Sequence, residues 1–402
     1  MSYMYAISQH CPPHLLPGTH AFITWNTRTA HTQHSYNLPF RGCTMVLTTG
    51  HPGQFSAVAS KFLLWDENAR GDDGGEGTSM YNMINRSVKL THNNRVDTND
   101  EDAMWFISYL DCLRDGLCTE DDWKKVKTTC SQDSMSPAEW DRRRGFNDPD
   151  CVRLFCTNKE VAEHNKKRLL AQREPIALIE AKHNNFAASR KSSDLFWGLE
   201  KNLLFLCVGA HISLTINLCS KANLVNGATG VVKDIVYAED KKPPDLPILV
   251  MVDSGEAYNG PSFFPDDIEK RGWVPIPTFT ARFSKYNKDQ VRIDYTREMM
   301  PMKLAWAWTI WKAQGQTFNY MVVANLGKDE KEHGLTYVAM SRVTSLKLFG
   351  IAGGLTLDRL TSKILKQKRM VQRKLGEMKL DRIGKECLDR YKNRLRRRGN
   401  DN

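Results

Sequence analysis

The chain has 402 residues, 41% hydrophobic and 26% charged, and a formal net charge of +11. That length supports two or three compact units with real hydrophobic cores, and the composition is ordinary for a soluble globular protein. The most apolar run, Leu203 to Ile212, is far too short to span a bilayer, and the first residues lack a basic start followed by an apolar core, so neither a membrane segment nor a secretory leader is expected.

Residues 1–38 are rich in His, Pro and Thr with little periodicity. A strand-like run, Cys43 to Leu47, enters a Gly/Pro loop, and residues 66–79 read as an acidic turn-rich loop. From Asp100 the spacing of Trp105, Ile107, Leu110 and Leu113 suits a helix that stops near Gly116, with a second start at Thr119. Residues 128–149 read as a surface connection. A strand at Val152–Cys156, a helix at Lys159–Arg173 and a buried strand near Leu203–Val208 follow. Residues 223–300 change to short runs such as Thr229–Tyr237 and Leu246–Val252 separated by Gly, Pro and Asp, which is small-barrel patterning. From Leu304 the αβ alternation resumes, with a strand at Tyr320–Leu326 and a helix over Thr336–Val343. One α/β domain interrupted by a small β insertion is the simplest account.

The charge is local. Residues 359–402 hold 16 basic and 5 acidic residues, which is the whole excess. Such a tail can grip nucleic-acid phosphates, act as a nuclear address, or be a solvated helix with Leu360, Ile364, Val371, Leu375 and Met378 on its inner side. None of the ten cysteines forms a C-x-x-C pair, the closest being Cys151/Cys156 and Cys112/Cys118. Reduced, mostly buried thiols are expected rather than a zinc site.

Three segments carry the functional signal. Leu206 to Val232 reads LCVGAHISLTINLCSKANLVNGATGVV, in which Gly227 and Gly230 suit positions of positive φ. Met302 to Phe318 reads MKLAWAWTIWKAQGQTF, and His333 to Ser345 reads HGLTYVAMSRVTS. In this order they resemble the V-G-A…L-V-N-G-x-x-G-x-V, L-A-W-A-x-T-I-H-K-S-Q-G-x-T and G-x-x-Y-V-A-L-S-R-V blocks of Pif-family superfamily-1 DNA helicases, including their Helitron transposon relatives. Weaker matches are Val152–Asn165 to T-N-x-x-V-x-x-x-N, Val88–Arg95 to L-T-x-x-x-R, and Pro39–Val58 to P-F-G-G-x-x-V-V-L-x-G-D-x-x-Q-L-P-P-V. Trp311 replaces the usual His, Ala313 the frequent Ser, His51 the Asp, and Ser56-Ala57 the paired prolines.

The resemblance implies a RecA-like second helicase domain of P-loop NTPase type, interrupted by a small Src-homology-like β-barrel. Its expected layout is an unmatched segment over 1–38, the end of a first RecA-like domain over 39–87, the second RecA-like domain over 88–222 and 301–358, the insertion over 223–300, and a basic helical or disordered tail over 359–402. It implies that Arg342 and Arg95 reach the γ-phosphate of ATP, where a cation stabilises the transferring phosphoryl group, and that Gln54 senses that phosphate. It also implies that Thr309, Lys312, Gln314, Gly315, Thr317, Thr157 and Asn158 hold single-stranded DNA. ATP and Mg2+ are the cofactors of the complete family enzyme.

No G-x-x-x-x-G-K-[ST] loop occurs in the sequence, and Asp66-Glu67 reads as solvated surface rather than a metal-binding pair. The expected protein is therefore the C-terminal part of a 5′–3′ DNA helicase, the polarity coming from the family, inactive as an ATPase alone and served by a Walker-bearing partner half. No metal or tightly bound nucleotide is expected on this chain, and a monomer in the nucleus is. Two alternatives stand beside it: a non-enzymatic single-strand-binding module, and a decayed transposon-derived remnant. Trp306 is expected in the core, Tyr337 under the Arg342 helix, and Trp308 and Trp311 are open between core and base-stacking platforms.

Overall fold

The computed structural model describes residues 2–7, 46–50, 85–90, 93, 95–96, 100–144, 151–361 apart from 197, 201, 287–289, 319, 328–329 and 331–333, and 368–399. Two compact units emerge. Unit one comprises residues 1–144, 313–320 and 324–402, and unit two comprises 145–312 and 321–323.

Unit one opens with an antiparallel sheet in which β1 (Ser2–Ile7) lies between β2 (Val46–Gly50) and β3 (Arg86–Leu90), with Tyr5 opposite Thr48 and Met4 opposite Val88. β2 starts inside the run expected as a strand, whose first residues lie outside the described set. Helix α1 (Glu101–Asp115) begins where the Asp100 carboxylate accepts the Ala103 N–H at 2.6 Å. It ends where Gly116 takes φ +63°, letting the Leu117 N–H reach Cys112 O at 2.8 Å. Helix α2 (Glu120–Cys130) then starts with a reciprocal cap: Thr119 Oγ1 accepts the Asp122 N–H, and Asp122 Oδ2 accepts the Thr119 N–H.

The surface connection expected over 128–149 is corrected in its described part. Cys130 and Ser131 are buried, and α3 (Pro137–Arg144) sinks Trp140 to 2% exposure. A proline suits the first turn of a helix, and an indole removed from water outweighs the polar residues around it.

Unit two starts with β4 (Val152–Phe155) and α4 (Asn158–Ala171). Strand β5 (Ala177–Glu180) is followed by β6 (Lys182–His183) and the short α5 (Phe186–Ser189), and β7 (Leu203–Leu206) returns antiparallel to β5. β7 is not the fully buried strand expected: Leu204 and Leu206 point inward, while Leu203 and Phe205 are 42% and 46% exposed. It belongs to a two-stranded sheet, so only one of its faces is covered.

Next come β8 (His211–Leu214), β9 (Thr229–Val236), β10 (Leu249–Asp253) and β11 (Trp273–Pro277), then the hairpin of β12 (Phe279–Tyr286) and β13 (Arg292–Met299), and β14 (Met302–Leu304). The order β11-β10-β9-β8-β14 makes one antiparallel five-stranded sheet. Its inward residues, including Ile212, Val232, Val250, Val274 and Met302, share a core with Leu204, Met299 and Trp306. The core placement of Trp306, at 1% exposure, is as expected.

Gly227 has φ +96°, as expected, but Gly230 is not in the positive-φ region. A Cβ on Gly230 would collide with Val252 Cγ1 and come within 2.8 Å of Asp253 O. Its smallness lets β9 lie against β10, which is a packing requirement rather than a dihedral one. Arg297 on β13 is fully buried, donating to Leu199 O, Ala188 O and Lys191 O with its guanidinium 4.3 Å from the Phe196 ring centroid.

β15 (Ala307–Thr309) runs parallel to β4, and the first residues of β16 (Val322–Asn325) complete unit two, with the Val152 N–H on Met321 O. The division falls within β16. On the unit-one side, Ala324 O accepts the Ala352 N–H just after β17 (Phe349–Ile351), which follows the wholly buried helix α6 (Leu335–Met340). α7 (Leu357–Thr361) and α8 (Lys368–Gly399) end the chain's described part.

The tail is thus a 32-residue helix, and its inner side differs from the one expected. Leu375 and Met378 are 59% and 67% exposed, whereas Arg373, Leu380 and Ile383 are buried, and Gly384 faces Ser87 O on β3. Leu360, on α7, is buried as expected; the side chains of Ile364 and Val371 lie outside the described set. Arg373 decides the helix's rotation: it donates to Asp115 Oδ1 at 2.7 Å and to Arg114 O at 3.0 Å, closing the C-terminal end of α1. Among the described residues no helix is long and apolar enough to cross a membrane. Cys118, Cys130, Cys151, Cys156 and Cys207 are buried thiols outside any disulfide.

Candidate functional site

The candidate residues fall into two groups, one in each unit. In unit two, α4 begins with Thr157 as its cap: Thr157 Oγ1 accepts the Glu160 N–H at 3.2 Å and donates to Glu160 Oε2 at 2.6 Å. At the middle of this helix, Asn165 clips the motif strand. Its Oδ1 accepts the Ala307 N–H at 2.9 Å, and its Nδ2 donates to Ala307 O and Leu304 O at 3.4 Å. Asn165 lies in the T-N…N block of the sequence, so its position was visible there but its task was not.

Between α4, β5, β7 and the β14–β15 segment lies a cavity of about 760 Å³. Leu169, Leu178, Leu204 and Trp308 give it an apolar lining, and Asn158, Thr309 and Lys312 reach it together. Trp308 is 3% exposed with its indole N–H donated to Ala305 O, so it packs in the core with one side lining the cavity; Trp311 is half-buried. Thr309 makes the turn that presents the lysine, its carbonyl and Oγ1 both accepting the Lys312 N–H.

Lys312 Nζ stands 5.6 Å from the Trp308 ring centroid. Burial, and then the neighbouring Lys303, push its pKa down to about 7, against a smaller upward pull from Glu200. Lys303 also lines the cavity, and both lysines border a second cleft of about 690 Å³ with Thr215, Asn217 and Asn226. Lys303 was missed from the sequence, since nine positions separate it from Lys312 and only the turn into β15 unites them.

In unit one, Gln314, Gly315 and Thr317 are exposed. Gly315 has φ +88° and nothing within 4 Å of where a Cβ would stand, so it is needed for its backbone conformation rather than for a close approach. Thr317 Oγ1 accepts from Arg95 Nε at 2.9 Å, and Arg95 Nη1 donates to Ser341 O at 2.8 Å. Arg342 is 1% exposed and turned onto its own chain: Nε donates to Val338 O at 2.9 Å, Nη2 to Ser341 Oγ at 2.7 Å and Nη1 to Gln316 O at 3.4 Å.

Burial, then the nearby Arg95, lower the Arg342 pKa to about 10, and burial lowers that of Arg95. Tyr337 is buried beside both, its hydroxyl pKa raised by burial. Among the described residues neither arginine has a carboxylate partner. Two cations sharing a small volume without an anion form a receptor for one.

Gln54 lies outside the described residues. Arg359, counted from sequence as the first free charge of the tail, is instead a buried anchor: it donates to Glu330 Oε2 at 2.8 Å and to Gly327 O at 2.7 Å, while Glu330 also accepts from the Thr336 N–H and hydroxyl. No local sequence signal links Glu330 to Arg359.

No protein-family model matches the chain. The fold is similar to the crystal structure of Pif1 helicase from Candida albicans, at 21% identity and a TM-score of 0.59, covering 85% of this chain and 71% of that one. It is also similar to Bacteroides Pif1 bound to single-stranded DNA, at 19% identity and a TM-score of 0.57, covering 84% and 68%. These likenesses define the class: a mixed α/β helicase fold with a parallel sheet. In sequence the chain is 26% identical over 272 residues to the ATP-dependent DNA helicase Pif1 of Campylobacter jejuni, covering 65% of this chain and 52% of that protein. In sequence and in fold the chain is similar to Pif1 helicases, and it spans about half the length of that relative.

Proposed function

We propose that the chain is the rear part of an ATP-dependent 5′–3′ DNA helicase that couples ATP hydrolysis to translocation on single-stranded DNA. The carrying observation is the Arg95–Arg342 pair, a half-buried and a fully buried cation with no carboxylate partner among the described residues, bonded to the ends of two motif segments at Thr317 and Ser341. In this reading Arg95, only part-buried, meets the γ-phosphate, and Arg342 holds the Ser341 and Gln316 segments that position it. Gln54 senses the same phosphate. Single-stranded DNA is held by Thr157, Asn158, Thr309 and Lys312 in unit two, and by Gln314, Gly315 and Thr317 in unit one. The five-stranded antiparallel sheet is the Src-homology-like barrel within the second RecA-like domain.

ATP and Mg2+ need a Walker-type loop that these 402 residues do not contain. Among the described residues Arg95 fits the triphosphate, with Arg342 behind it, and no catalytic step is assigned to the metal. The test is in two measurements. The chain should bind oligo-dT with an affinity that falls with salt, and should hydrolyse negligible ATP until joined to a Walker-bearing half. Oligo-dT binding without salt dependence, or robust hydrolysis by the purified chain, would refute the reading.

A further inference from the structure

The cavity of unit two has a chemistry that strand binding does not use. Lys312 Nζ stands 5.6 Å from the Trp308 ring centroid and beside Lys303, and the other charged groups lining the cavity are Lys166 from α4 and Glu200. Burial, and then the second ammonium of Lys303, favour loss of its proton and push the Lys312 pKa down to about 7. A neutral primary amine in an apolar pocket is a nucleophile for carbonyl carbon, and desolvation or an adjacent cation is the usual way to obtain one. The cavity's 760 Å³ is in the range of small-ligand sites.

We infer that the Lys303–Lys312 cavity captures a phosphate-bearing aldehyde as an imine on Lys312, with Lys303 holding the phosphate. Lys312 Nζ adds to the aldehyde carbon, forming the C–N bond while the carbonyl π pair moves to oxygen. The carbinolamine then loses that oxygen as water, which carries away both hydrogens of the amine. Nothing is oxidised or reduced, and no co-reactant is needed.

Two sources supply such an aldehyde: a small molecule such as pyridoxal 5′-phosphate, and the ring-opened sugar at an abasic position of a DNA strand. The second source rests on the strand-binding reading, because Asn158 and Thr309 line the same cavity.

The test incubates the full chain with each probe near neutral pH, reduces the imine with borohydride and maps the labelled peptide. The adduct should concentrate on Lys312, on the order of five hundredfold at pH 7 over an ordinary exposed lysine, from the difference in neutral-amine fraction between pKa values near 7 and near 10. Lys312→Arg should abolish that adduct. Lys303→Met should move the midpoint of trapping upward in pH, and should remove the preference for pyridoxal phosphate over pyridoxal. Labels spread over the exposed lysines in the unsubstituted chain would overturn the inference whatever the variants do. If oligo-dT binding fails while pyridoxal phosphate still labels Lys312, the strand reading falls and the amine stands. Strand binding with no Lys312 label sinks the amine alone.

Discussion

Each unit brings together a pair of like-charged groups partly removed from water, and the two pairs respond differently. Arg95 and Arg342 are held by backbone carbonyls and hydroxyls, and even lowered to about 10 the Arg342 guanidinium keeps its charge at neutral pH. Lys312 has an aromatic ring and another lysine for company, and near about 7 its charge is half gone. A guanidinium spreads its charge over several donors that the protein can satisfy, whereas an ammonium is a compact, strongly hydrated charge that sheds its proton when water is removed. A fixed cation suits a site that must face phosphate at any pH. A conditional cation suits a site whose grip can change.

The largest test of this contrast is catalytic. In a fusion carrying a Walker-type half, Arg95→Gln should lower ATP turnover by about a thousandfold, the scale of a lost phosphate-reaching arginine. The same substitution removes a repulsion on Arg342, so urea unfolding should show stability held or slightly raised. A loss of both together would make Arg95 a structural residue.

Next in size is Arg342→Ala, which takes the guanidinium donor from Ser341 Oγ and Gln316 O, leaves Val338 O with only the Ser341 hydroxyl, and opens a cavity in α6's surroundings. A loss of about 3 kcal/mol in unfolding free energy is expected. A loss under about 1 kcal/mol would show that water replaces the guanidinium.

Smaller again is the pH response of the lysine pair. Lys312 is protonated below about 7 and neutral above, so oligo-dT affinity should fall as pH rises from about 6 to about 8, by about three- to fivefold for one exposed-type ion pair. Lys312→Arg should flatten that profile. An unchanged slope would place the strand elsewhere. The smallest effect is expected of Gly315→Ala, which strains φ +88° but meets no atom, for about 1 kcal/mol in unfolding.

What the sequence disclosed divides along the range of the interaction. The end of α1 at Gly116 and the restart at Thr119 were legible because a glycine turn and a capping box are written within a few residues. Trp306 was legible through its motif. Trp140 was not, because its neighbours are polar and its burial depends on distant partners. Neither was the rotation of α8, where Arg373 rather than a leucine faces inward because Asp115 lies across from it. Gly230 gave the right residue for the wrong reason, its neighbour being a strand some twenty positions on. The candidate residues were named by motif, and their division into an arginine pair and a lysine cavity came from geometry alone.

The clip made by Asn165 has a consequence for association. β15 is the edge of its sheet, joined to β4 on one side, and the Ala307 N–H and C=O point the other way. The Asn165 amide donates to one and accepts from the other, imitating one peptide of a missing neighbour strand. An edge so occupied cannot template the addition of another chain there, which keeps the motif strand free of the sheet-to-sheet aggregation that short apolar edges invite.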